Sequence, residues 1–153
     1  PNKYYSFNKD QLIEIFNEIK SKFISNGYKV IVIPSMRTPK ISIELATKEL
    51  SASGHVINSV DKQAYLSALA LVDYVVVTCD STSMISEAAT SGKPIFVAHM
   101  KPKKNNYRFK KFYRLFNEMG ITRDLGDQIE SWTYNKLNEA ERIAAIINSK
   151  LKN

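Results

Sequence analysis

Residues 73–97 read DYVVVTCDSTSMISEAATSGKPIFV, and this stretch decides the fold class. Residues 74–78 form an unbroken β-branched and aromatic run, the pattern of a buried strand covered on both faces in a parallel sheet. The character changes at Cys79, and Asp80, Ser81, Thr82 and Ser83 are each suited to cap a helix over residues 84–91. Gly92 can take the left-handed conformation that ends helices, and Lys93-Pro94 blocks continuation before the apolar run 95–98. The order is strand, turn, helix, strand. At the carboxyl end of the first strand the helix presents unpaired amides and the positive end of its dipole, a setting that suits phosphate. Glu87 lies one turn beyond Ser83 on the same face, within reach of a sugar hydroxyl attached to such a phosphate. Two readings stand side by side: the hydroxyls receive an anion and Glu87 a sugar, or the hydroxyls only cap the helix and Glu87 is a solvated acid.

The same alternation extends along the chain. Ser6 or Asn8 caps a helix running to about Ser25, with Leu12, Ile13, Ile15, Phe16, Ile19 and Phe23 as its apolar stripe. A strand at 28–33, a loop at 34–39, a helix at 40–51 and a short strand at 54–58 follow. Asp61 caps a helix through Leu71, whose Ala64, Leu66, Ala68, Leu69 and Ala70 suit close packing on a sheet. An amphipathic helix is expected over 106–119, stopped by Gly120, and a closing helix over 138–151, capped by Asn138 with Glu141 three residues on. Alternating strands and helices predict a single α/β domain: a Rossmann-like, three-layer parallel sheet with helices on both faces.

Composition narrows the class. The 153 residues suffice for one domain core, and 44% hydrophobic with 24% charged residues is ordinary for a globular chain. Nothing approaches the roughly 20 apolar residues that span a bilayer. The one cysteine, Cys79, rules out an internal disulfide, fits a reducing cytoplasm, and reads better as a small buried residue than as a nucleophile. The net charge of +7 is local. Residues 101–114, KPKKNNYRFKKFYR, carry seven basic residues and no acid, and the remaining 15 basic residues match the 15 acids. Such a patch attracts an anion: a diphosphate, an anionic membrane surface with the protein held peripherally, or nucleic acid. No motif supports sequence-specific nucleic-acid binding, and Phe109, Phe112, Tyr113 and Phe116 have the spacing of a core-facing stripe rather than a base-stacking platform.

Ser35, Arg37 and Thr38 follow the strand at 28–33 and are therefore expected on the same sheet edge as Asp80, Ser81, Thr82 and Ser83. Arg37 suits bidentate contact with phosphate oxygens, or equally an ion pair with a surface acid. His99, just past the strand 95–98, joins that edge, and Lys103 and Lys104 supply positive charge beside it. No histidine pair or carboxylate cluster has metal-ligand spacing, so no metal is expected.

Three blocks together resemble a known family. They are IPSMRTP at 33–39, VTCDSTSMISEA at 77–88 with Gly92-Lys93-Pro94, and RFKKF at 108–112 followed by GITR at 120–123 and Trp132. The chain is similar over almost its whole length to the mitochondrial fission family named for elongated mitochondria. That family shows a second arginine where this chain has Met36. The middle block also resembles the donor-binding turn of GT-B glycosyltransferases. The resemblance implies the carboxyl-terminal half of a GT-B-like fold, with Arg37 and Ser81–Ser83 on a diphosphate, Glu87 on a ribose, and a nucleotide sugar as substrate rather than a bound cofactor. It also implies an amino-terminal domain and a first strand upstream, so that this chain by itself binds without turnover. A missing strand leaves an exposed edge that favours a homodimer. The alternative is a non-catalytic module of the same family that meets a protein partner or a membrane through its basic face.

Overall fold

The computed structural model describes residues 2, 4–126 and 128–134. Its elements alternate from helix α1 (Lys9–Lys22) to β1 (Val30–Val32), α2 (Lys40–Leu50), β2 (Gly54–Val56), α3 (Lys62–Leu71), β3 (Val75–Thr78), α4 (Thr82–Ala89), β4 (Ile95–Ala98), α5 (Tyr107–Glu118) and β5 (Thr122–Asp124). Every strand pairing is parallel, and the fold is a Rossmann-like α/β arrangement. The closing helix expected over 138–151 lies outside the described residues.

Local chemistry places the boundaries. Asn8, not Ser6, caps α1: its side chain accepts from the amides of Asp10 and Gln11 at 2.9 and 3.3 Å. Asp61 caps α3 by accepting from Ala64 N at 3.0 Å. Of the four candidates before α4, Ser81 is the cap, accepting from Met84 N at 3.4 Å. Gly92 has φ 73°, the left-handed conformation that its position after α4 requires.

The sheet differs from the expectation in one respect: its hydrogen bonding falls into two pieces. β1 pairs with β2, Val30 opposite Gly54, while β3, β4 and β5 form a second sheet with β4 central. Burial follows that division. All four residues of β4 are 0–1% exposed, as a strand with neighbours on both sides must be. β3, which the sequence marks as buried, has only Val77 fully buried, because its side toward β1 carries no strand. The helix α3 is likewise less covered than its small apolar residues suggest. Leu69 alone is buried, and Leu66 and Leu71 are 44% and 80% exposed.

The core lies between α1, α5 and the three-stranded sheet. Leu12, Ile15, Phe16 and Ile19 of α1 are buried, as are Phe112, Tyr113 and Phe116 of α5, so the aromatic stripe of α5 is packing surface. Phe23, Tyr28, Tyr74, Phe96 and Trp132 form a chain of ring contacts with centroids 5.2–6.0 Å apart.

Candidate functional site

The parallel strands β3, β4 and β5 end on one edge, and the sequence there turns polar at each of them. At the end of β3, Ile85 N bonds to the Ser81 carbonyl at 3.1 Å and Met84 N is taken by the Ser81 side chain. The backbone amides of Thr82 and Ser83 have no partner among the described residues. They sit at the positive end of α4, and Ser83 is exposed. Ser81 therefore caps the helix, and the two amides that follow it remain without a partner among the described residues. Asp80 is buried, at 6% exposure, so its carboxylate does not project into the solvent beside them.

The amino-terminal residues tie this turn to the basic loop. Asn2 Nδ2 donates to the Asp80 carbonyl at 2.8 Å, and Asn2 Oδ1 accepts from the amides of Tyr4 and Tyr5 at 2.8 and 2.9 Å. The Tyr4 carbonyl accepts from Lys103 N at 2.7 Å, Lys104 Nζ lies 5.3 Å from the Tyr4 ring centre, and the Tyr5 hydroxyl accepts from Asn106 Nδ2 at 2.9 Å. Lys103 and Lys104 are exposed. Residues 80 and 103 thus meet through a strap that sequence inspection passes over. The three residues have no special chemistry of their own, and their partners lie 78 to 101 positions away.

The other candidates are placed differently. Ser35 and Thr38 lie at the end of β1, on the two-stranded sheet, and bond to each other: Ser35 N donates to Thr38 Oγ1 at 2.9 Å, and the two hydroxyls are 3.2 Å apart. Between them Arg37 is exposed and makes no ion pair among the described residues. No hydrogen bond or ion pair among the described residues joins this loop to the turn at Ser81. Glu87 is exposed on α4, and its charge helps to raise the Tyr65 phenol to about 12, burial being the larger cause. His99 lies half-exposed at the end of β4, its Nε2 2.8 Å from Asp124 Oδ1 and its ring edge-on to Tyr113. Both line a broad cleft of about 930 Å³ at this edge, together with Glu14 and Glu18 of α1 and Lys101. With three acids against one lysine and a histidine, that cleft suits hydroxyls or cations better than phosphate. Arg123 stacks on Trp132, 4.2 Å from its ring centre, and pairs with Glu130, so both act in packing.

Cys79 is 1% exposed, its sulfur accepts from Met100 N at 3.2 Å, and its carbonyl accepts from the Tyr113 hydroxyl. Burial pushes the thiol from 9.0 up to about 11, the opposite of what a nucleophile needs. Alkylation of Cys79 by iodoacetamide at pH 8 is accordingly expected only after denaturation. Because the folded value is the higher one, the stability Cys79 contributes is complete below pH 9 and is lost as pH rises through about 11. Burial raises the Tyr113 and Tyr65 phenols as well, so unfolding by alkali is expected to begin in the same range. Urea midpoints measured from pH 7 to 11 check this, and a flat profile would contradict it.

The geometry defines a Rossmann-like domain with a polar carboxyl edge. The family model for "Mitochondrial fission ELM1" matches residues 1–151, and the chain belongs to that family. It is 35% identical over 159 aligned positions to "Uncharacterized protein RP120" of Rickettsia prowazekii (strain Madrid E), covering 99% of this chain and 44% of that protein. It is 34% identical over 125 positions to "Mitochondrial fission protein ELM1" of Arabidopsis thaliana, covering 76% of this chain and 28% of that protein. The chain thus spans less than half the length of the curated relatives it matches. No solved structure gives a significant match. Among the described residues, no helix is long and apolar enough to cross a membrane, and no group of three or more histidines, cysteines and acids could hold a metal ion.

Proposed function

We propose that this domain holds the diphosphate of a nucleoside diphosphate or its sugar conjugate at the amino end of α4. One observation carries the reading: the uncommitted amides of Thr82 and Ser83 share an edge with Lys103 and Lys104, which Asn2, Tyr4 and Tyr5 tether to the Asp80 turn. Amides aimed outward at a helix terminus stabilise negative charge without reorganising, and nearby ammonium groups add attraction. On this reading the developing charge on a leaving diphosphate is stabilised by the dipole and the basic loop, and the acceptor side of any transfer belongs to polypeptide beyond this domain. Arg37, on the neighbouring sheet piece, would have to approach from across the edge, whereas Glu87, exposed on α4 itself, is the acid on that helix left to meet a ribose.

Isothermal titration of uridine, guanosine and adenosine diphosphates, and of their glucose conjugates, into this chain tests the proposal. Binding should weaken about tenfold when Lys103 and Lys104 are both replaced by alanine. Failure to bind any of the six ligands would overturn it. Salt-sensitive binding to phosphatidylserine vesicles, lost in the same double variant and indifferent to nucleotides, would favour the fission-family interaction module in its place.

A further inference from the structure

The broad cleft at the ends of β4 and β5 has walls that are fixed to each other along α1. Near one end Gln11 Oε1 accepts from Lys101 N at 3.1 Å, and near the other Lys22 Nζ donates to the Leu125 carbonyl. The two ties are about 16 Å apart along the helix, and the space of about 930 Å³ is preformed and within the usual range of small-molecule sites. Its lining is rich in acceptors. His99 Nε2 lies 2.8 Å from Asp124 Oδ1; a neutral imidazole that donates there keeps Nδ1 as an acceptor, and Nδ1 has no partner among the described residues. Glu14 and Glu18 set two carboxylates one turn apart on α1, and Glu14 makes no ion pair or side-chain hydrogen bond among the described residues. Charge, by contrast, is nearly balanced: Lys22 lies 3.8 Å from Glu18, Lys101 is on the rim, and the chain as a whole carries +7. Among the polar groups the lining is apolar, with Ile15, Val97 and Leu125.

We propose that this cleft is a second binding site, for a neutral sugar, separate from the anion site at α4. Acceptors that lack donors call for a ligand rich in O–H groups, and hydroxyls supply those donors without adding charge. A phosphate or carboxylate ligand would face Glu14, Glu18 and Asp124 at close quarters. A cation gains little, because Lys22 already sits beside Glu18 and His99 beside Asp124, and the net charge of the chain repels it. A sugar ring alternates hydroxyls with C–H faces, which matches acceptors set among Ile15, Val97 and Leu125. Asp124 fixes the His99 tautomer, so that Nδ1 meets the ligand as an acceptor. Walls already fixed in place reduce the ordering that binding would otherwise have to supply. The inference does not rest on nucleotide binding, since the cleft is built from α1, β4 and β5 and the anion site from the start of α4.

NMR titration of the backbone amides tests it, with glucose, galactose, mannose, N-acetylglucosamine, maltose and cellobiose as neutral probes and glucosamine and glucuronate as charged ones. At least one neutral sugar should shift the amides of Gln11, His99, Lys101 and Asp124 saturably and independently of salt, and should bind at least about fivefold tighter than glucuronate. Asp124→Asn and Glu14→Gln should each weaken that sugar by about threefold or more. Glu14 is exposed on α1, so the second variant keeps the test open if the first disturbs folding. No saturable shift at these amides from any of the neutral sugars, shifts confined to other residues, or an affinity unchanged in both variants would overturn the proposal. Binding of glucosamine alone, lost at high salt, would make the cleft a cation site and overturn it as well. In the same spectra the Thr82 and Ser83 amides report uridine diphosphate, so failure of one site is seen apart from failure of the other.

Discussion

Replacing Phe96 by alanine is expected to cost about 3–5 kcal/mol, toward the upper end of that range. Phe96 is the second residue of β4, the strand that lies between β3 and β5 in its sheet, and it is fully buried. Its ring stands edge-on to Trp132 at 5.2 Å and to Phe23 at 5.9 Å, and lies tilted against Tyr74 at 6.0 Å. The substitution removes the transfer energy of the ring, leaves a cavity among Phe23, Tyr74 and Trp132, and dissolves ring contacts that are each worth about 0.5–1.5 kcal/mol beyond burial. Backbone pairing of β4 with β3 and β5 limits how far the walls can close. A domain of this size has about 5–15 kcal/mol in total, so the variant should retain its circular dichroism at 25 °C but unfold at a much lower urea concentration with a similar slope. A loss below about 1 kcal/mol would mean that the aromatic chain repacks freely into the space the ring leaves.

The central β-α-β unit was legible because each of its signals is local. The aliphatic runs of β3 and β4, the hydroxyls around the start of α4, and Gly92 before Pro94 act within a few residues of one another, and the elements form there, with α4 at Thr82–Ala89 two residues earlier than the expected 84–91. The stripe of α5 was readable for the same reason. The two sheet pieces were not. Val75 and Val76 have the composition of buried strand residues, and their partial exposure depends on what lies beside β3, which no local pattern records. For α3 the apolar content was read as packing surface, yet of Ala64, Leu66, Ala68, Leu69 and Ala70 only Leu69 is buried, and Leu66 and Ala70 are exposed. At the candidate site the turn at Ser81 was visible, yet which of four side chains caps depended on backbone geometry. The strap from Asn2 through Tyr5 to Lys103 was invisible because ordinary residues meet across most of the chain. His99 was expected at the right edge, while its partner Asp124 sits 25 positions away on a strand only three residues long, too short to announce itself.

Gly54→Ala is expected to be as damaging as a large core deletion, for a reason of space alone. Gly54 opens β2 and is the register partner of Val30 on β1. Its φ of −178° is extended backbone that any residue adopts, so no conformational strain is involved. A Cβ at this position would lie 1.8 Å from the Val30 carbonyl oxygen, 2.7 Å from its carbon and 2.9 Å from its nitrogen. All three are main-chain atoms, which cannot swing aside as the tip of a side chain can. Relief requires β1 and β2 to separate, and these strands make the whole of the smaller sheet, with α2 packed against β2. The cost is put at about 3 kcal/mol, the upper part of the range for an overpacked site. It should appear as lost exchange protection at the β1–β2 ladder before the β3–β4–β5 sheet is affected. Two controls separate space from conformation. Gly126→Ala meets nothing within 4 Å and should be close to neutral. Gly27→Ala also meets nothing, but φ is 88° there, so it should cost about 1–2 kcal/mol from the left-handed backbone alone. If Gly54→Ala proved no worse than Gly27→Ala in urea denaturation, the close approach of β2 to β1 would be wrong. With it would fall the register that sets Val30 opposite Gly54 and Val32 opposite Val56.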